Sequence, residues 1–184
     1  MPGVNISKPV FVILLVLLLA GASILRQWDL TEAGPTTDEP TYVLVGDRYV
    51  RGILKGDLSV ATWGYAMEHP SVAKWLYGLA FQAQHFGLEW ARWYRAPKRL
   101  AGLMGTLTVL LVVLIGRRLY GPWTGLWAGA VYALLPHALA HNRTAGLETP
   151  TLLFYSAALW LSLRALRPGA SRWWLVLVGL SCGL

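Results

Sequence analysis

The chain has 184 residues, of which 55% are hydrophobic, a net charge of +7 and a mean hydropathy of +0.47. That apolar content excludes an ordinary soluble domain and points to a membrane protein. The basic residues are scattered between apolar runs instead of lining one soluble face, so they read as topology signals and phosphate contacts, with no nucleic acid as partner.

Residues 9–25 form an uncharged apolar run at the short end of the ~20 residues that a spanning helix needs. The small residues Ala20-Gly21-Ala22-Ser23 would also suit a cleavable signal. Lys8 alone makes a thin basic region before the run, and later segments are spans as well, so an uncleaved first helix is predicted. Lys8 places its start on the cytoplasmic side.

A mixed outer loop, 26–99, follows. After Pro40, the residues Tyr42, Val43, Tyr49, Val50, Ile53 and Leu54 recur at helical spacing, with Asp47, Arg48, Arg51 and Lys55 between them. After Pro70, Val72, Trp75, Leu76, Leu79, Ala80, Ala83 and Phe86 follow the i, i+3, i+4, i+7 pattern. Both prolines suit first-turn positions. Both helices are predicted to lie along the membrane interface, where Trp and Tyr also collect.

Uncharged spans are expected at 100–116, 121–140 and 149–163. A last apolar stretch, 173–184, is short of spanning length, and the sequence reads as the N-terminal part of a longer protein. It holds the one cysteine, Cys182, which precludes an internal disulfide and a cysteine-based metal cluster. The expected fold is therefore all-α integral membrane, with multiple spans and two interfacial amphipathic helices in the first outer loop. With the second of those helices on the surface, Arg117, Arg118, Arg164, Arg167 and Arg172 fall in short cytoplasmic loops, as the positive-inside rule asks. Asp38, Glu68, His69, Arg143 and Glu148 then share the outer side. If that helix crossed instead, the arginine loops would lie outside and Glu148 would part from the other carboxylates.

Carboxylates beside a bilayer are costly to desolvate and mark functional sites. Asp38 and Glu39 open the first interfacial helix. Thr36 and Glu39 have capping-box spacing, and Asp38 can cap as well. Alternatively, a carboxylate in reach of an acceptor hydroxyl takes its proton as that hydroxyl attacks a sugar's anomeric carbon, and partial burial would strengthen it for this role. Glu68-His69-Pro70 either starts the second helix, with Glu68 against the positive end of its dipole, or orders sugar and phosphate groups. A metal held by Asp38, Glu68 and His69 is allowed by ligand type, but no tight metal spacing supports it, and no cofactor is predicted.

Arg92, Arg95, Lys98 and Arg99 form a basic cluster that suits a lipid headgroup or a lipid-linked phosphate. Arg143 either meets a phosphate through its planar fork or pairs with Glu148. Asn142-Arg143-Thr144 fits a glycosylation sequon. His137 and His141 are read as interface residues.

Together these residues resemble the membrane-embedded glycosyltransferases of the GT-C type. The likeness is nearest to protein O-mannosyltransferases and their bacterial and archaeal relatives, with lipid A aminoarabinose transferases as cousins. It rests on Asp38-Glu39 opening an outer loop after a first helix. It rests also on His69-Pro70-Ser71-Val72-Ala73-Lys74, similar to the family's His-Pro-Pro-Leu-Gly-Lys, with Ser71 in place of the second proline. Arg99 then opens a span that ends in Arg117-Arg118-Leu119-Tyr120-Gly121, and Arg143 precedes Glu148-Thr149-Pro150, where the family usually has Asp.

The resemblance implies a polyprenyl- or dolichyl-phosphate sugar donor, with mannose as the sugar, and inverting transfer on the outer face. The acceptor would be a hydroxyl on a protein, a glycolipid or a cell-wall polymer. Asp38 would be the catalytic base with Glu39 beside it. Glu68, His69, Lys74, Arg99, Arg143 and Glu148 would serve the donor site. The departing lipid phosphate already carries its charge on oxygen and needs positive contacts more than a general acid. The rival readings are a lipid or anion transporter, which would favour charges inside the spans, and a non-catalytic membrane subunit.

Overall fold

The computed structural model describes residues 6–30, 34–67, 71–85 and 94–183, and what it describes is helical without strands. In chain order the helices are α1 (Lys8–Gln27), α2 (Glu39–Lys55), α3 (Val60–Trp63), α4 (Ser71–His85), α5 (Arg95–Tyr120), α6 (Pro122–Leu134), α7 (Pro136–Asn142), α8 (Glu148–Ala165) and α9 (Trp173–Gly183). Among the described residues α1 and α5 are long and apolar enough to cross a membrane.

α5 is the central post. It packs against α1, α4, α6, α7 and α8. Phe11 of α1 meets Val113 and Leu126 toward one end, and Ala22 of α1 meets Val109 and Ala133 further along. At the other end of α5, Ala101 and Met104 join Tyr42, Val43, Tyr77, Phe81 and Ala145 in a core that unites α2, α4 and the loop before α8. Much apolar surface still faces outward. Leu17 is 63% exposed, Trp127 68% and Leu175 61%. A surface so apolar over several helices suits contact with lipid.

One expectation about the elements needs correction. The segment 121–140, read as one span, is broken: Leu135 is extended, with φ −62° and ψ 117°, between α6 and α7. The residue before a proline is pushed out of the helical region, and Pro136 follows. The break turns α7 so that Asn142 points back into the bundle, where it is buried. α4 packs through a face other than its apolar stripe. Ala73, Lys74, Tyr77, Gly78 and Phe81 are buried, whereas Trp75 and Leu79 are exposed. α2 explains this, because it lies so close that only glycines fit at the crossing. A Cβ on Gly46 would stand 1.9 Å from the Lys74 carbonyl oxygen, and one on Gly78 would stand 2.2 Å from the Gly46 backbone. The stripe of α2 fits better: Tyr42, Val43, Tyr49 and Val50 are buried, although Ile53 and Leu54 are not.

Candidate active site

The two adjacent carboxylates at the start of α2 have opposite surroundings. Glu39 is fully buried. Its Oε1 accepts the Ala145 N–H at 2.6 Å and its Oε2 accepts the Thr36 N–H at 2.7 Å. The second bond is one half of the capping box that the spacing suggested; no side chain caps the helix from the other direction. Lys98 Nζ lies 3.7 Å from Glu39 Oε2, and both side chains are shielded from water. Lys98 also donates to the carbonyls of Gly34 and Leu30. Glu39 therefore ties the start of α2 to the start of α5 and to the loop 143–147. A carboxylate so buried holds its place only through such bonds, because an unpaired buried charge is very costly.

Asp38 stands one residue earlier and is exposed. Among the described residues its carboxylate has no hydrogen-bond or ion-pair partner. Its backbone is held, since its carbonyl accepts the Tyr42 N–H. The pair thus consists of a free carboxylate on a base fixed by its neighbour.

The loop beneath it is equally well held. Tyr77 of α4 donates its hydroxyl to the Gly146 carbonyl at 2.7 Å. Burial first, then the charges of Glu148 and Glu39, push the Tyr77 pKa far above its ordinary value, so the hydroxyl keeps its proton. Burial and Glu39 act on Tyr94 in the same direction. Thr149 donates to the His141 carbonyl at 3.0 Å and receives a bond from Asn142 Nδ2 at 3.1 Å. Asn142 Oδ1 in turn accepts from Arg26 Nε at 3.0 Å. Asn142 is buried and bonded on both sides, so the sequon is closed to glycosylation in this fold.

Arg26 is a site residue that sequence reasoning missed. It is fully buried at the end of α1, donates to the carbonyls of Ala22 and Ala133, and lies 5.9 Å from the Tyr132 ring centre. An arginine at the end of an apolar run normally reaches for the interface. Only the return of α7 shows that this one points inward.

The residues expected at the donor site fall into three groups. Glu68 and His69, with Arg92 of the basic cluster, lie outside the described residues. Lys74 and Arg143 have their cations engaged by the backbone. Lys74 is fully buried, donates to the Ala66 carbonyl and sits 5.5 Å from the Tyr49 ring centre. Arg143 caps the end of α1 through the carbonyls of Leu25, Trp28 and Asp29, the shortest at 2.8 Å. Arg143 and Glu148 are not paired with each other, because Glu148 lies 3.7 Å from His141 Nδ1. Arg99 is the third case: it is exposed, and only its backbone carbonyl is used, by Gln27 at 2.9 Å. The basic cluster is therefore not one patch, since Lys98 turns in to Glu39 while Arg99 faces out. Among the described residues no three His, Cys, Asp or Glu side chains gather where they could hold a metal.

Beside Glu148 is a cavity of about 450 Å³, lined by Tyr132, Leu135, His141, Leu152 and Tyr155 among others. Its walls are mostly apolar, with the polar groups of His141 and Glu148 among them. Such a mix suits a ligand with a long apolar part and a polar head.

A family model for dolichyl-phosphate-mannose-protein mannosyltransferase matches residues 68–184. The chain belongs to that family. No curated protein and no solved structure matches it. As a member of the mannosyltransferase family it is a membrane protein of the glycosyltransferase class, and the family's donor is a dolichyl-phosphate sugar. The match takes in Lys98, Arg99, Arg143, Glu148 and the cavity; Asp38 and Glu39 precede it.

Proposed function

We propose that the protein transfers mannose from a polyprenyl- or dolichyl-phosphate donor to a hydroxyl of a protein acceptor, on the outer face of the membrane, with Asp38 as general base. The observation that carries this reading is the division of labour between Asp38 and Glu39. A general base must be held in place yet keep its lone pairs free for the substrate. Glu39 spends its oxygens on Ala145, Thr36 and Lys98, and Asp38 keeps its own.

In the reaction the acceptor hydroxyl gives its proton to Asp38 as its oxygen attacks the anomeric carbon. The bond from that carbon to the phosphate oxygen breaks, and polyprenyl phosphate leaves with the electron pair. Attack from the side opposite the leaving group inverts the anomeric centre. Arg99, exposed at the start of α5, is the cation best able to meet the departing phosphate. The apolar cavity beside Glu148 would take the first isoprene units. Lys74 and Arg143 act indirectly, by fixing α4 and the end of α1.

The test uses the protein in liposomes with radiolabelled polyprenyl-phosphate mannose and a membrane extract as acceptor source. Asp38→Asn should bind donor normally and lose transfer by about a hundredfold or more, as removal of a general base does. Equal transfer by wild type and variant would refute the assignment of Asp38.

A further inference from the structure

Far from Asp38, four arginines converge on one cavity. Arg117 and Arg118 lie in the last turn of α5, Arg164 lies in the last turn of α8, and Arg167 follows it. With Leu114, Trp160 and Leu163 they line a space of about 450 Å³. Among the described residues none of the four is paired with a carboxylate. Two of them lean on rings instead. Arg117 lies 4.2 Å from the Phe11 ring centre, and Arg164 lies 4.6 Å from that of Trp160 and 5.7 Å from that of Trp174.

The ordinary explanations cover only part of this. Cations favour helix C-termini, but each terminus offers only about half a negative charge. Two termini thus supply about one negative charge against four positive ones. A topology signal requires cations on a loop, not four of them facing one cavity. Their crowding is felt: Arg118 chiefly, with Arg164 adding to it, holds the Arg167 pKa below its ordinary value. Like charges held together in this way leave a strong field for an anion to occupy.

The position of the cavity along α5 points to the kind of anion. Lys98, at the Asp38 end, and Arg117 are on one continuous helix, α5. At roughly 1.5 Å per residue they stand about 28 Å apart along it, close to the ~30 Å thickness of the hydrocarbon layer. With α5 as a span, the arginines lie at the headgroup level of the leaflet opposite Asp38. The remaining walls, Leu114, Trp160 and Leu163, are apolar, as a lipid requires and a free ion does not.

We propose that this cavity binds the phosphate of an anionic membrane lipid in the leaflet opposite Asp38. The guanidinium groups donate to its phosphate oxygens, and Leu114, Trp160 and Leu163 receive the start of its chains. Arginine suits the task because its planar fork meets two oxygens at once.

The test is native mass spectrometry of the protein released from nanodiscs that mix phosphatidylcholine with phosphatidic acid. Wild type should carry phosphatidic acid in preference to phosphatidylcholine. Arg118→Gln with Arg167→Gln, at two exposed positions, should weaken that preference by about tenfold or more, given the strength of charge-assisted hydrogen bonds. Arg118→Lys with Arg167→Lys should keep part of it. Arg48→Gln with Arg51→Gln, which removes the same charge from α2, should leave it unchanged. If the double glutamine variant does not fold, Arg167→Gln alone, beyond the end of α8, carries the test. Undiminished preference in the glutamine variant would overturn the proposal. So would release of the lipid by inorganic phosphate at equal concentration, which would make this a site for the soluble ion.

Discussion

At the residue scale, the site depends on which of two adjacent carboxylates is buried. Glu39 and Lys98 form a shielded pair, and each would be a lone buried charge without the other. Removing one partner of such a pair costs about 3–5 kcal/mol, whereas replacing both with apolar groups is often close to neutral. Glu39→Gln and Lys98→Met should therefore each lower stability by that order, and the double variant carrying both should cost less than the sum. Chemical unfolding in detergent measures the coupling; additive losses would show that the two do not act as a pair. The sequence shows two carboxylates beside a threonine at capping spacing, and that spacing does not say which of them is buried. Their difference depends on Ala145 and Lys98, about 60 to 100 residues away in the chain, and no local pattern encodes so remote a partner. The same is true of Arg26, whose partners Asn142 and Ala133 come from α7 and α6.

At the element scale, the start of α2 is positioned by its crossing with α4. Alanine in a helix is normally worth up to about 1 kcal/mol more than glycine. Gly78→Ala should show the opposite sign, because its Cβ would stand 2.2 Å from the Gly46 backbone. Separating the two helices should cost about 1–3 kcal/mol, as overpacking does, and should reduce transfer by shifting Asp38. Gly179→Ala, with open space around it, is the control and should not destabilise. Unfolding midpoints of the two variants decide the matter, and a stabilised Gly78→Ala would show that the crossing is looser than described. Periodicity located α2 and α4 well, because apolar residues recur at helical spacing in both. It does not give the face through which α4 packs, because Trp75 and Leu79 look like core residues to any rule that assumes water outside. Near a bilayer the apolar stripe can face lipid, while small and polar residues such as Gly78 and Lys74 face the protein. The break at Leu135 was visible in principle through Pro136.

At the scale of the whole molecule, the two ends of α5 have different chemistry. One end gathers the carboxylates, with Lys98 beside Glu39 and Tyr77 holding the Gly146 carbonyl. The other gathers unpaired arginines around a cavity. Short loops rich in arginine stay on the cytoplasmic side, so Asp38 should face outward, where a lipid-linked donor meets an acceptor outside the cell. Single cysteines in a Cys182→Ser background test this directly. Thr37→Cys marks the exposed start of α2, and Ser171→Cys marks the exposed loop before α9. A membrane-impermeant maleimide applied to intact cells should label Thr37→Cys and leave Ser171→Cys untouched until the membrane is opened. The reverse pattern would put the arginine loops outside and remove the donor reading, while leaving the Glu39–Lys98 pair intact. Labelling of both in intact cells would put the arginine loops on the same side as Asp38, as they are if α4 crosses or if α5 does not span. The ~28 Å separation along α5 would then no longer place the arginines in the leaflet opposite Asp38, and the cavity would lose its claim to a lipid on the far side.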